Sequence, residues 1–159
     1  MKRIVITTGV IGATAAIACF VVSNLLPAME RSRSKRTMAD IRTIAKAWEA
    51  RAEAEKSYSV GVAPKRVGSQ EQRVPYSDLA VALTPTYIRT LPRYDGWGNE
   101  YQFTIANYDS GGAQSYTIRS LGSDGRPDRH AVPQGESTSL TADIVYADGS
   151  FTQYPHGAG

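Results

Sequence analysis

The first hydrophobic feature of the chain is an uninterrupted apolar run near its N-terminus. It extends from Ile4 to Leu26 without a charged residue. A helix of about 20 apolar residues is long enough to cross the hydrocarbon core of a bilayer. The run therefore predicts a membrane anchor over residues 1–27. Its length favours this interpretation over a lipoprotein signal, in which Cys19 would become a lipidated N-terminus.

A helical periodicity follows directly. Apolar residues recur at intervals of three and four, which is typical of one helical face: Met38, Ile41, Ala45, Trp48 and Ala52. The pattern predicts a helix over residues 28–57, with Trp48 as the largest anchor of its buried face. Because the anchor and this helix are contiguous, they predict a single rod of about 80 Å, kinked or interrupted near Pro27.

The remaining pattern is that of strands and turns. Residues 58–99 are polar and contain glycine and proline, so they predict a connecting loop region with one short helix. Apolar residues then alternate along Glu100–Ala106 and Ser115–Leu121, and a later Asp-Gly pair lies between two further strand-like runs. The expected domain, residues 28–159, is α+β: a long N-terminal membrane-spanning helix packed on a four-stranded antiparallel sheet formed by residues 100–159.

A tight aromatic turn is predicted at the end of the connecting region. Gly96 and Gly98 flank Trp97, with Asp95 and Asn99 outside them. Glycine supplies conformations that other residues avoid, and aspartate accepts hydrogen bonds from the backbone of its own turn. We therefore expect Trp97 to be a structural packing anchor, and Asp95 to cap the turn rather than bind a ligand.

Charge and chemistry limit the function classes. The net charge of +3 is concentrated beside the apolar run: Lys2 and Arg3 precede it, and Arg31, Arg33, Lys35 and Arg36 follow it. Such clusters meet anionic headgroups at a membrane, and no basic residues are interleaved with aromatics to predict a nucleic-acid partner. The two histidines are isolated and no nucleophile–base motif occurs, so the sequence predicts neither a zinc site nor an enzyme.

Several motifs occur in a fixed order along the chain: Asn24-Leu25-Leu26, Lys35–Arg42, Leu91-Pro92 followed by Asp95–Asn99, Ser120–Gly125, and Asp143-Ile144. In this combination the chain resembles the type IV pilin-like family, most closely the major (G-type) pseudopilin of bacterial type II secretion systems, from about Val21 to Pro155. The resemblance implies a pilin-like fold and a structural subunit that assembles through its N-terminal helix. Its implied partners are other pilin-like subunits in a homo-oligomeric filament, the secretion machinery and the membrane.

The resemblance also implies a place in the cell. Family members are single-pass proteins of the bacterial inner membrane, with the C-terminal domain in the periplasm or outside the cell. The more basic C-terminal flank of the apolar run would instead keep the domain in the cytoplasm. Family members also begin with a short basic leader, followed by Gly-Phe-Thr-Leu-(Ile or Val)-Glu, where the leader is cleaved. With Ser23 at the family's helix-proline position, Lys2 takes the place of the Phe and Ile6 that of the Glu. An alternative is therefore a singly anchored or lipidated binding module that does not polymerise.

One loop carries a metal prediction by resemblance. In the family the corresponding loop binds calcium, which implies the carbonyl oxygens of Leu121 and Arg126 and the carboxylate of Asp124 as ligands here. The last ligand is either Asp128 or Asp143. Calcium takes six to eight oxygen ligands, and glycine allows a loop to wrap around the ion. An Asp-Gly turn with solvated carboxylates fits the same spacing.

Overall fold

The computed structural model describes residues 2–61, 71–106, 113–128, 135–137, 139 and 141–156, with side chains from residue 25 onward. The fold is α+β, with a long N-terminal helix and a mixed sheet. In chain order the elements are α1 (Lys2–Glu55), β1 (Glu71–Val74), α2 (Tyr76–Leu83), β2 (Gln102–Ala106), β3 (Ser115–Ser120), β4 (Gly135–Ser137), β5 (Ile144–Ala147) and β6 (Ser150–Pro155).

Helix α1 is continuous over 54 residues and passes through Pro27. The predicted interruption at this proline does not occur. A proline removes one helical hydrogen bond, but the residues that follow it, Ala28, Met29 and Glu30, are strong helix formers. The predicted buried face is confirmed, since Ile41 and Trp48 are fully buried and Met38 is 2% exposed. Burial along the described part of the helix begins at Ser34.

The described residues include no helix that is both long enough and apolar enough to cross a membrane. The anchor predicted over residues 1–27 lies almost entirely outside the residues whose side chains the structure describes. Within its described end, Leu25 and Leu26 are 53% and 57% exposed.

The described sheet has six strands in the order β1-β2-β3-β5-β6-β4. Neighbouring strands are antiparallel except β4 and β6, which are parallel. The prediction of a four-stranded antiparallel sheet is therefore wrong in strand number and direction. Its four strands exist as β2, β3, β5 and β6, but β1 and β4 were missed. Their sequences, Glu-Gln-Arg-Val and Gly-Glu-Ser, have no apolar alternation. These two strands belong to the sheet through backbone pairing with a neighbouring strand. They lack the side-chain alternation from which a strand can be predicted.

The core lies between α1 and the central strands. Phe103 and Ile105 of β2 are paired with Ile118 and Tyr116 of β3, and all four side chains are at most 1% exposed. The predicted alternation is thus confirmed. Trp48 enters this layer from α1, with its ring centroid 5.1 Å from that of Tyr116 and 6.1 Å from that of Phe103. Helix α2 closes one end with two fully buried leucines, Leu79 and Leu83.

The predicted Asp-Gly hairpin joins β5 to β6. Asp148 and Gly149 have φ angles of 45° and 92°, as a two-residue hairpin loop with left-handed residues requires. The Asp148 carboxylate also accepts hydrogen bonds from the Tyr116 N–H at 2.9 Å and the Ser115 hydroxyl at 2.8 Å. The turn therefore fixes the tip of the hairpin to the start of β3.

Candidate functional site

The Asp95–Asn99 turn is capped by its own aspartate, as predicted. Asp95 Oδ1 accepts hydrogen bonds from the backbone N–H of Trp97 at 2.9 Å and of Asn99 at 2.8 Å. Its second oxygen accepts the Ser120 hydroxyl at 2.7 Å. Asp95 is only 6% exposed, so this carboxylate ties the turn to the end of β3. All three contacts use protein donors, which supports the structural interpretation of Asp95.

The turn packs directly on the backbone of α1. The Gly96 N–H donates to the Thr37 hydroxyl at 2.9 Å. A Cβ atom at Gly96 would lie 2.7 Å from the Arg33 carbonyl oxygen and 3.0 Å from its Cα, which is closer than such atoms approach. Glycine is therefore required here by the close approach of two backbones rather than by its φ angle.

Trp97 contacts α1 at the edge of the core. Its ring is partly buried and packs against the core residues, so the packing role is retained but full burial is not. The indole Nε1–H donates to Glu30 Oε2 at 2.6 Å, and Arg33 lies 3.2 Å from the other Glu30 oxygen. Sequence reasoning missed Glu30, because the two residues are far apart in the chain and share no motif.

The same turn holds the loop that follows β3. Asn99 Nδ2 donates to the Gly122 carbonyl at 2.7 Å. Gly122 has a φ of 62°, and a Cβ there would lie 2.5 Å from the Thr141 carbonyl oxygen. The loop after β3 therefore passes in close contact with the backbone that leads into β5. This closure brings the two halves of the predicted metal site to one corner of the domain.

Two aspartates join across this corner. The Asp128 N–H donates to Asp143 Oδ2, and the Asp143 N–H donates to Asp128 Oδ2, both at 3.1 Å. Gln153 Nε2 donates to the same Asp128 oxygen at 2.6 Å, and Arg119 Nε lies 3.6 Å from Asp143 Oδ2. The sequence left Asp128 and Asp143 as alternative ligands. The structure instead places them together as a reciprocal pair.

Asp143 is the most perturbed acid in the described part of the chain. It is 1% exposed, and its Oδ1 accepts no hydrogen bond from any described residue. Burial raises the pKa of Asp143 to about 6; the Asp128 and Asp124 carboxylates add to this increase, whereas the Asp128 N–H and the Arg119 guanidinium oppose it. A buried carboxylate oxygen without a donor is the feature of this corner that best fits a bound cation.

The other predicted ligands fit less well. Asp124 is exposed, and its Oδ1 accepts the Arg126 N–H at 3.0 Å, as in an ordinary turn. Within the described residues, no three acidic, histidine or cysteine side chains are grouped so that they could hold a metal ion. An ion at this corner would therefore depend on backbone carbonyls, such as those of Leu121 and Arg126, as well as on carboxylates.

The comparisons with known proteins add no relative. No model of a protein family, no curated protein and no solved structure matches the chain. The resemblance to the pilin-like family therefore remains an expectation from the sequence motifs.

The raised pKa of Asp143 predicts a specific pH dependence of stability in a chelator. Between pH 3.8 and 6 the folded state binds the Asp143 proton more tightly than the unfolded chain does. The contribution of this group to the free energy of unfolding therefore falls as pH rises through that window, by about 3 kcal/mol in total. Denaturant unfolding of the wild type and of Asp143→Asn, from pH 4 to 7, measures this difference.

The amide of Asp143→Asn cannot lose a proton, so the difference in stability between variant and wild type should grow in the variant's favour towards pH 7. Asp124→Asn is the control, because it makes the same chemical change at a carboxylate that is exposed to solvent. If the free energies of unfolding of wild type and Asp143→Asn changed in parallel with pH, the raised pKa of Asp143 would be contradicted.

Proposed function

We propose that this chain is a structural subunit of the type IV pilin-like class, closest to the major pseudopilins of type II secretion systems. In this proposal it is anchored in the bacterial inner membrane by residues 1–27. It presents its C-terminal domain outside the cytoplasm and assembles through α1 with other copies, in contact with the secretion machinery. It has no catalytic role.

The observation that supports this proposal most directly is that the two parts of α1 differ in burial. From Ser34 onward one face of the helix is buried by the domain, and Trp48 fills the centre of the core. Before that point Leu25, Leu26 and Met29 are 53%, 57% and 42% exposed. Large apolar side chains exposed together on one helix mark a surface that another chain or a membrane covers. We call the exposed apolar part of α1 around Leu25, Leu26 and Met29 the arm. A helix that fills the core of its own domain and extends beyond it as an apolar arm is suited to a subunit that assembles through the arm.

Calcium at the Asp128–Asp143 corner is a second part of the proposal. Asp143 would supply a carboxylate, Asp124 or Asp128 a further one, and Leu121 and Arg126 their carbonyl oxygens. The ion would link the loop after β3 to the start of β5 and offset the cost of ionising the buried Asp143. At pH 7, calcium at a hundred times its Kd should stabilise the wild type by about 2.7 kcal/mol relative to chelator. Asp143→Asn should lose this response, and an unresponsive wild type would reject the ion.

The alternative function is a binding module held singly in the membrane by an uncleaved or lipidated N-terminus. It is favoured by one feature of the sequence: Ile6 and Lys2 stand where the family has the glutamate and phenylalanine of its assembly and cleavage motif. Such a protein would use its domain to recruit a partner and would not polymerise. The experiment that follows separates the two functions.

Cross-linking through the exposed arm tests assembly. In full-length protein carrying Cys19→Ala, Leu26→Cys introduces one thiol on the exposed part of α1. Oxidation in isolated membranes should link this variant into dimers, which is the most that one thiol per chain allows. When Met29→Cys adds a second thiol, each copy can be linked to two neighbours, so the double variant should give a ladder of species. A single monomer band from the Leu26→Cys, Met29→Cys double variant would favour the anchored module.

Val81→Cys in the same background is the matched control. Val81 is 81% exposed and belongs to α2 rather than to α1, so its single thiol should give no dimer under conditions in which Leu26→Cys does. It also reports orientation, because a membrane-impermeant thiol reagent added to spheroplasts should label it. Protection of this thiol until the membrane is lysed would place the domain in the cytoplasm and contradict the proposed location.

A further inference from the structure

The cations that follow the apolar arm differ in their partners. Arg33 lies 3.2 Å from Glu30, the residue that also holds the Trp97 indole, and Arg36 lies 3.9 Å from Asp40. Arg31 and Lys35 are exposed, and no carboxylate among the described residues pairs with either of them. These two cations, spaced one helical turn apart, are therefore accessible to a partner outside the domain.

The positions of Arg31 and Lys35 along the helix axis match the headgroup region of a bilayer. At 1.5 Å per residue, Arg31 lies about 7.5 Å and Lys35 about 13.5 Å beyond Leu26. The headgroup layer on each side of a bilayer is on the order of 6–7 Å thick. Charges interact across water over about 8 Å at physiological ionic strength. With Leu26 at the edge of the hydrocarbon, Arg31 would lie at the outer edge of the headgroup layer, and both Arg31 and Lys35 would be within electrostatic reach of the phosphates.

We propose that Arg31 and Lys35 form a binding site for anionic phospholipid headgroups, so that the subunit selects such lipids around its helix. This inference rests on the proposed membrane anchor and goes beyond it, because an anchor alone requires no particular headgroup. The adjoining side chains Leu25, Leu26 and Met29 are apolar and exposed, which matches the acyl side of the same boundary. A nucleic acid, the other common polyanion, would leave these apolar side chains in water.

The chain carries its own reporter close to the site. The Trp97 indole is hydrogen-bonded to Glu30, the residue immediately before Arg31. Trp48 lies 17 residues further along α1 than Arg31, which is about 25 Å along the axis. Energy transfer from tryptophan to a labelled lipid will therefore be dominated by Trp97 and will measure how often that lipid occupies the Arg31–Lys35 site.

The test uses the full chain reconstituted in phosphatidylcholine vesicles. These contain equal small fractions of either phosphatidylglycerol or phosphatidylcholine carrying a dansyl group on an acyl chain, which leaves the headgroup unchanged. Wild type should transfer more energy to labelled phosphatidylglycerol, with a preference of about fivefold for each cation. The preference should disappear near 1 M salt, where the screening length is about 3 Å, and in Arg31→Gln, Lys35→Gln.

A charge-matched control is Lys46→Gln, Lys56→Gln, which removes two exposed lysines, one within the domain part of α1 and one directly after the helix ends. It should keep the wild-type preference. Equal transfer to both lipids in the wild type, or the same loss in both double variants, would overturn the inference while leaving the anchor intact. Release of the wild type from the vesicles by an alkaline wash would overturn the anchor itself, and the lipid site with it.

Discussion

Replacing Trp48 with alanine should lower the free energy of unfolding by about 3–5 kcal/mol, the range for deleting a large buried aromatic side chain. The ring is fully buried and contacts aromatic rings from three other parts of the chain: Tyr58, Phe103 and Tyr116. Its Nε1–H also donates to the Tyr58 carbonyl at 3.2 Å. Denaturant unfolding of the full chain in detergent, followed by circular dichroism, provides the measurement.

Trp97→Ala is the natural comparison, because it removes the same side chain from a partly buried position. Its cost should be less than half that of Trp48→Ala, since it loses less buried area and one hydrogen bond, to Glu30. Equal costs for the two substitutions would show that the turn, and not the helix–sheet layer, carries the stability of the domain.

Adding a single methyl group at Gly96 should also be severely destabilising. The Cβ would meet backbone atoms of Arg33 at 2.7–3.0 Å, and neither the helix nor the capped turn can move without breaking the contact from Gly96 to Thr37. Overpacking of this kind costs about 1–3 kcal/mol and occasionally more. We expect Gly96→Ala to lie near 3 kcal/mol in the same unfolding measurement.

Gly98→Ala is the matched control two residues away. Gly98 has a φ of 92° but no atom within 4 Å of an added Cβ, so alanine there introduces backbone strain without a clash, at a cost of about 1–2 kcal/mol. The tryptophan emission of Trp97 should change in Gly96→Ala, as the indole leaves Glu30, and stay close to wild type in Gly98→Ala. If Gly98→Ala were the more damaging change, the turn would not be held by its contact with α1.

Local chemistry accounts for what could be predicted of the site. The Asp95 cap was predictable because donor and acceptor lie within five residues of each other, and turn geometry brings them together in any fold. The loop after β3 was singled out differently, by its resemblance to the calcium-binding loop of the pilin-like family. The pairing of Asp128 with Asp143, by contrast, depends on the close approach of Gly122 to Thr141. No spacing in the sequence encodes that approach, so the two residues remained alternatives.

The elements that could be predicted from the sequence are those whose side chains follow a period. The face of α1 from Met38 to Ala52, the alternation of β2 and β3 and the Asp-Gly hairpin are all encoded locally, because burial on one side of a helix or strand selects apolar residues at regular intervals. Elements and contacts without such a period arise only when distant segments pack together. Strands β1 and β4 are formed through backbone pairing with their neighbours. The indole of Trp97 bonds to Glu30, which is distant in the sequence. The pKa of Asp143 is raised only because neighbouring segments exclude water from its carboxylate.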